Sequence, residues 1–191
     1  HKLMTVKVES EVLRETQLVV CLLFQYAGMS FVDFAHLKER NIKNGILDYN
    51  RQKTGTPMRL EILDTAELMR KELMGDKRPA SGYLFPFLSG TKTGYEAYLE
   101  YNAALSRFNR NLKALKKAAG IASDVTSYTI RHSFAMALKE QNVPIEMISE
   151  LLGHKSIKTT QIYLRSFSLE KMTEVNSTCF GCVYNYVSKV G

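Results

Sequence analysis

The sequence holds 191 residues, room for one sizeable domain or two very small ones, and its 45% hydrophobic residues supply a real core. With only 24% charged residues and apolar positions recurring throughout, wholesale disorder is not expected. Lys and Arg outnumber Asp and Glu by 26 to 19, a formal charge of +7 and a pI near 9.3, which favours a polyanionic partner, most commonly nucleic acid. No signal-peptide pattern opens the chain and no uninterrupted apolar stretch is long enough for a bilayer, so no membrane partner is expected. Cys21, Cys179 and Cys182 make no disulfide framework, which fits a reducing cytoplasm and the bacterial nucleoid.

Over residues 11–27, Val12, Leu13, Leu18, Val19, Val20, Leu22, Leu23 and Phe24 leave little polar face and predict a buried helix that Gly28 stops. Ser30 is placed to cap a short helix over 30–38. The period then changes: 45–49 and 58–63 read as two strands around a Gly- and Pro-bearing turn, a β-hairpin with Lys53 near its tip. Residues 64–74 return to helix, and 75–94 read mostly as loop. The clearest helix runs from Gly94 to Ala119, with Leu105, Phe108, Leu112 and Leu115 on one face and Arg107, Arg110, Lys113 and Lys117 on the other. That basic stripe reads first as a solvated face and second as a contact for a phosphate backbone. Three short helices follow, over 129–141, 144–152 and 156–164, with Pro144 suited to a first helical turn. Residues 167–175 suggest another helix, and the alternation from Phe180 to Val187 suggests a strand. The expected fold is mainly α with one small antiparallel β-sheet.

Four segments stand out together. Thr129-Ile130-Arg131-His132-Ser133-Phe134-Ala135 sets an arginine near a helix start, and Leu151-Leu152-Gly153-His154 sets a histidine just past a helix. Arg131 precedes His154 by 23 residues, and Tyr163 follows His154 by nine. The hairpin supplies Lys53 from far upstream. In these residues the chain resembles the tyrosine recombinases of the phage integrase family, whose catalytic domains carry Arg-His-x-Phe-Ala, then Leu-Gly-His, then a tyrosine. The resemblance runs from about residue 11 to about residue 170. Gly28-Met29-Ser30-Phe31-Val32-Asp33 and Arg51-Gln52-Lys53-Thr54-Gly55 look most like integrases of Bacteroides-type mobile elements.

The resemblance implies a catalytic domain over 1–175 that cleaves and rejoins double-stranded DNA through a covalent 3′-phosphotyrosine, as a tetramer on DNA, with no metal, cofactor or ATP. It implies Tyr163 as nucleophile, Arg131 as phosphate clamp, His154 as phosphate donor or proton carrier, and Lys53 as the acid for the leaving 5′-hydroxyl. The chemistry agrees. A tyrosine hydroxyl, with a pKa of about 10, is a poor nucleophile until a cationic pocket stabilises its anion. Guanidinium suits phosphate because its planar fork meets two oxygens at once. Taken singly, Arg131 would be a salt-bridge partner, His154 a cap and Lys53 a solvated lysine. Their order and spacing carry the reading.

Two positions depart from the family pattern. Tyr128 stands where a histidine or lysine is usual, and neither Ala27 nor Ser30 supplies the first arginine expected beside Gly28. Another cation is recruited, or the enzyme is weakened, or Ala27 is an introduced change. The expectation is a slow or inactive cleaver that still binds DNA. Residues 176–191 form a tail suited to docking on a neighbouring protomer, and Cys179-x-x-Cys182 lacks the further ligands a zinc site needs. The competing readings are a helix-turn-helix-like DNA-binding module without chemistry, built on 136–164, and an assembly module.

Overall fold

The computed structural model describes residues 1–77 and 82–164. Its elements, in order, are α1 (Lys2–Thr5), α2 (Glu11–Gln25), α3 (Phe31–Ala35), a 3-10 turn (Glu39–Asn41), β1 (Ile42–Lys43), β2 (Ile46–Asn50) and β3 (Pro57–Glu61). Then follow α4 (Asp64–Met74), α5 (Gly94–Ala118), α6 (Ser127–Glu140), α7 (Ile145–Leu151) and α8 (Ile157–Tyr163). The helix expected over 167–175, the strand over 180–187 and the Cys179–Cys182 pair lie outside the described residues.

The helix α2 is the axis, packed against α1, α4, α5 and α6. Its near-continuous apolar run matches that position: Leu18, Val19, Val20, Leu22 and Leu23 are all buried. Along α5, Ala104, Phe108, Leu112 and Leu115 recur at intervals of three and four and turn inward. Burying each of the three larger ones contributes roughly 1.5–3 kcal/mol. Phe31 of α3 stacks on Phe108 with ring centroids 4.7 Å apart, and Phe34 stacks on Phe85 at 4.1 Å. These pairs lock α3 between α5 and the loop before it.

The β-strands form one antiparallel sheet in the order β1-β2-β3, with Leu47 opposite Leu60 and Tyr49 opposite Met58. The β2–β3 loop is closed by Arg51 N–H donating to Thr56 O at 2.9 Å and Gly55 N–H to Arg51 O at 2.8 Å. Lys53 sits exposed at its tip, as expected. Two details differ from the sequence reading. The sheet gains β1, too short to show a period of two, and Pro144 caps α7 from an extended ψ of 141° instead of entering its first turn.

A smaller second cluster joins Ala135, Ile148 and Leu152, flanked by Phe134, Leu138, Val143 and Leu164. It holds α6, α7 and the end of α8 together. Phe134 meets Phe24 of α2 edge to face at 5.3 Å, fastening this cluster to the main core. Among the described residues no helix is long and apolar enough to cross a membrane.

Candidate active site

The site forms where three irregular backbone segments meet. The first links α2 to α3, with Ala27 at φ +55° and Gly28 at φ +63°. A Cβ on Gly28 would stand 2.9 Å from Phe134 Cδ1, so this position requires glycine on both conformational and steric grounds. The second is the turn between α7 and α8, where Gly153 has φ +62° and a Cβ would stand 2.8 Å from Arg51 Cδ. The third is the start of the β2–β3 loop.

Arg131, on the second turn of α6, is 4% exposed and reaches between the first two segments. Its Nη1 donates to Gly28 O at 2.9 Å, and its Nη2 donates to Leu152 O and, at 3.3 Å, to His154 Nε2. Arg131 and His154, two of the three side chains expected to meet, are thus in contact. Arginine has only donors, so His154 Nε2 must accept, and its proton sits on Nδ1. Nδ1 lies 2.8 Å from Oγ1 of Thr160, which is fully buried on α8. Burial, followed by the charges of Arg131 and Arg51, lowers the His154 pKa to about 4. The ring is thus neutral at physiological pH.

Arg51 and Asp33 were not singled out from the sequence, yet both lie at this junction. Arg51 is 9% exposed; its Nε pairs with Asp33 Oδ2 at 3.3 Å, and its Nη1 donates to Leu152 O at 3.1 Å and Gly153 O at 3.2 Å. Asp33 Oδ1 also accepts Gln52 N–H at 2.7 Å, so one buried carboxylate fixes both side chain and main chain of the hairpin loop. A signal was available. Leu47, Tyr49 and Arg51 alternate with exposed neighbours, so the period of β2 carries Arg51 to the buried face.

The other candidates are spread more widely. Ser30 Oγ donates to Asp33 Oδ2 at 2.5 Å and accepts from Asp33 N–H at 3.4 Å, which makes it the cap of α3. Ala27 is buried and lines a groove of about 590 Å³ with Met58 and Leu151, a groove that Asp48 and Glu150 also line. Tyr128 is exposed on the first turn of α6, and His132 is half-buried. Arg107, Arg110, Lys113 and Lys117 are all exposed along α5. Tyr163 is the last residue of α8; its side chain, and so its approach to Arg131, lies outside what is described.

Comparison with known proteins adds an independent line. Tyrosine recombinase XerD of Lacticaseibacillus casei is 52% identical over 54 residues, 28% of this chain and 18% of that protein. Tyrosine recombinase XerC of Rickettsia typhi is 41% identical over 75 residues, 39% of this chain and 24% of that protein. The matches thus span a quarter or less of these relatives' lengths. XerA recombinase shares the fold, with a TM-score of 0.62 at 21% identity over 91% of this chain and 64% of that one. So does the Tn1549 transposon integrase, solved in complex with a circular intermediate DNA, with a TM-score of 0.65 at 14% identity over 92% of this chain and 62% of that one. A family profile matches residues 2–170, nearly the whole length, and the chain belongs to the phage integrase family.

Proposed function

We propose that this chain is the catalytic domain of a site-specific tyrosine recombinase, over residues 1–175, acting on double-stranded DNA at the nucleoid. The observation that carries the reading is the contact of Arg131 with His154 at 3.3 Å around the Leu152 carbonyl. That contact between residues 23 positions apart supports the reading. The finer assignment, to integrases of Bacteroides-type mobile elements, is supported by Gly28-Met29-Ser30-Phe31-Val32-Asp33 and Arg51-Gln52-Lys53-Thr54-Gly55.

In the first step Tyr163 Oη attacks the scissile phosphorus, forming the Oη–P bond as the P–O5′ bond breaks. The phenolic proton passes to the lone pair of His154 Nε2 as Arg131 Nη2 turns from that nitrogen to the phosphate. Arg131 stabilises the charge gathering on the non-bridging oxygens. Lys53 gives its proton to the departing 5′-oxygen. Attack by a 5′-hydroxyl on the phosphotyrosine reverses each transfer and restores the enzyme, so the ester energy is conserved and no ATP is consumed. Four protomers on two DNA sites would exchange strands, with residues 176–191 docking between neighbours.

The helix-turn-helix-like reading is disfavoured because it leaves the buried contacts that join Arg51, Arg131 and His154 around the Leu152 carbonyl without a role. The test is a pool of nicked suicide duplexes of random sequence, scored for a covalent protein–DNA adduct on a denaturing gel. Adduct should form slowly with the unaltered chain and vanish with Tyr163→Phe. Adduct persisting in that variant would remove Tyr163 as the nucleophile.

A further inference from the structure

We propose that Arg51 is a second phosphate-binding guanidinium of this site, acting beside Arg131. The inference rests on reading the Arg131–His154 cleft as a phosphate site.

Geometry carries it. Arg51 Nη1 and Arg131 Nη2 both donate to the carbonyl oxygen of Leu152, so the two cations lie side by side on one neutral acceptor. Like charges at that spacing repel, and an anion placed against both relieves the repulsion. Asp33 holds Arg51 by Nε, and the Leu152 and Gly153 carbonyls hold it by Nη1. Its Nη2 makes no hydrogen bond among the described residues. Tyr26 Oη is the only sealed side-chain polar atom without a partner among them, so Nη2 is open to solvent. Arg51 is thus clamped on one side with two N–H donors left over, an arrangement preorganised for an oxyanion. Gly153 is what lets Arg51 come so close, since any Cβ there would collide with Arg51 Cδ at 2.8 Å. The lowered titration of His154, to which Arg51 contributes, places that positive potential inside the cleft.

The competing account makes Arg51 a strut that merely ties the hairpin to the α7–α8 turn. Both accounts expect its removal to weaken the fold, so the experiment reads anion binding. Inorganic phosphate is titrated into the folded protein while the His154 imidazole is followed by NMR. The unaltered chain should show saturable binding and an upward shift of the His154 titration on phosphate addition. Arg51→Gln should weaken phosphate by about tenfold or more, the equivalent of one charge-assisted hydrogen bond. Arg51→Lys, which keeps the charge but not the fork, should fall between. Because Arg51→Gln leaves Asp33 buried without its partner, Asp33→Asn/Arg51→Gln removes the pair together and should show the same loss. Unchanged phosphate affinity in either folded variant, or no saturable response in the unaltered chain, overturns the proposal. Should phosphate binding depend on Arg51 while no variant or parent forms a Tyr163 adduct, the recombinase reading fails and this one stands.

Discussion

His154 is pinned between Thr160 on one ring nitrogen and Arg131 on the other; burial and the charges of Arg131 and Arg51 favour the neutral ring. Its pKa of about 4 lies below the ordinary 6.5, so the unfolded chain binds the proton more readily. The sign follows by linkage: the stabilisation is whole above about pH 6.5 and is lost as pH falls toward 4. Urea unfolding at pH 7.5 and pH 5 should show the unaltered chain losing more stability than His154→Gln. Equal losses would mean that the ring titrates normally. Asp33 is the other sensitive residue, because Arg51, Gln52 and Ser30 all converge on its carboxylate. Breaking a buried pair by removing one partner costs about 3–5 kcal/mol. Asp33→Ala should therefore unfold at markedly lower urea and loosen the hairpin that carries Lys53.

The connections between elements do more for the site than the elements themselves. Gly153→Ala combines a left-handed backbone with a Cβ pressed against Arg51, at a cost of about 2–5 kcal/mol by thermal or chemical unfolding. A variant as stable as the parent would show that the turn can relax away from the hairpin. In the α2–α3 link, Ala27 precedes Gly28, whose carbonyl binds Arg131. A guanidinium added there should supply a donor to the phosphate. Ala27→Arg should then speed adduct formation at Tyr163 by about 10²–10³-fold, the usual effect of one preorganised donor. Asp48 and Glu150 line the same groove and are the competing partners. An unchanged rate would mean that they hold the new side chain or that Arg51 already fills the need. Acceleration by Ser30→Arg alone would instead move the family alignment by three residues.

For the molecule as a whole, a fold with two cores explains how distant segments meet. The larger core fixes α2, α3, α5 and the sheet, the smaller one fixes α6, α7 and α8, and Phe24 against Phe134 joins them. Arg131 and Arg51 bridge the same seam with hydrogen bonds. The chain as a whole carries a net charge of +7, with Arg107, Arg110, Lys113 and Lys117 exposed on α5. DNA affinity should fall along a log–log salt slope of about −0.9 for each phosphate engaged. Reversing Arg107, Arg110 and Lys117 should weaken binding and flatten that slope by about one unit for every phosphate the altered face no longer neutralises. Unchanged affinity and slope would return the stripe to an ordinary solvated face.

Local pattern determined much of this protein. The apolar run of α2, the three-four spacing of α5 and the turn chemistry at Gly55 are properties of neighbouring residues, so helix, hairpin and their order were legible without coordinates. Arg131, His154 and Lys53 were singled out for another reason: their order and spacing resemble the motifs of the phage integrase family. Tertiary structure alone decided what those residues touch. Asp33 and Arg51 sit 18 positions apart, and Arg51 reaches carbonyls about 100 residues downstream, distances over which no periodicity carries information. The glycines at 28 and 153 read as helix ends, yet their tightest constraints are side chains packing onto them from elsewhere in the chain, Phe134 on the first and Met58 and Arg51 on the second. The neutral state of His154 likewise follows from burial and from two guanidinium groups that only folding brings to it.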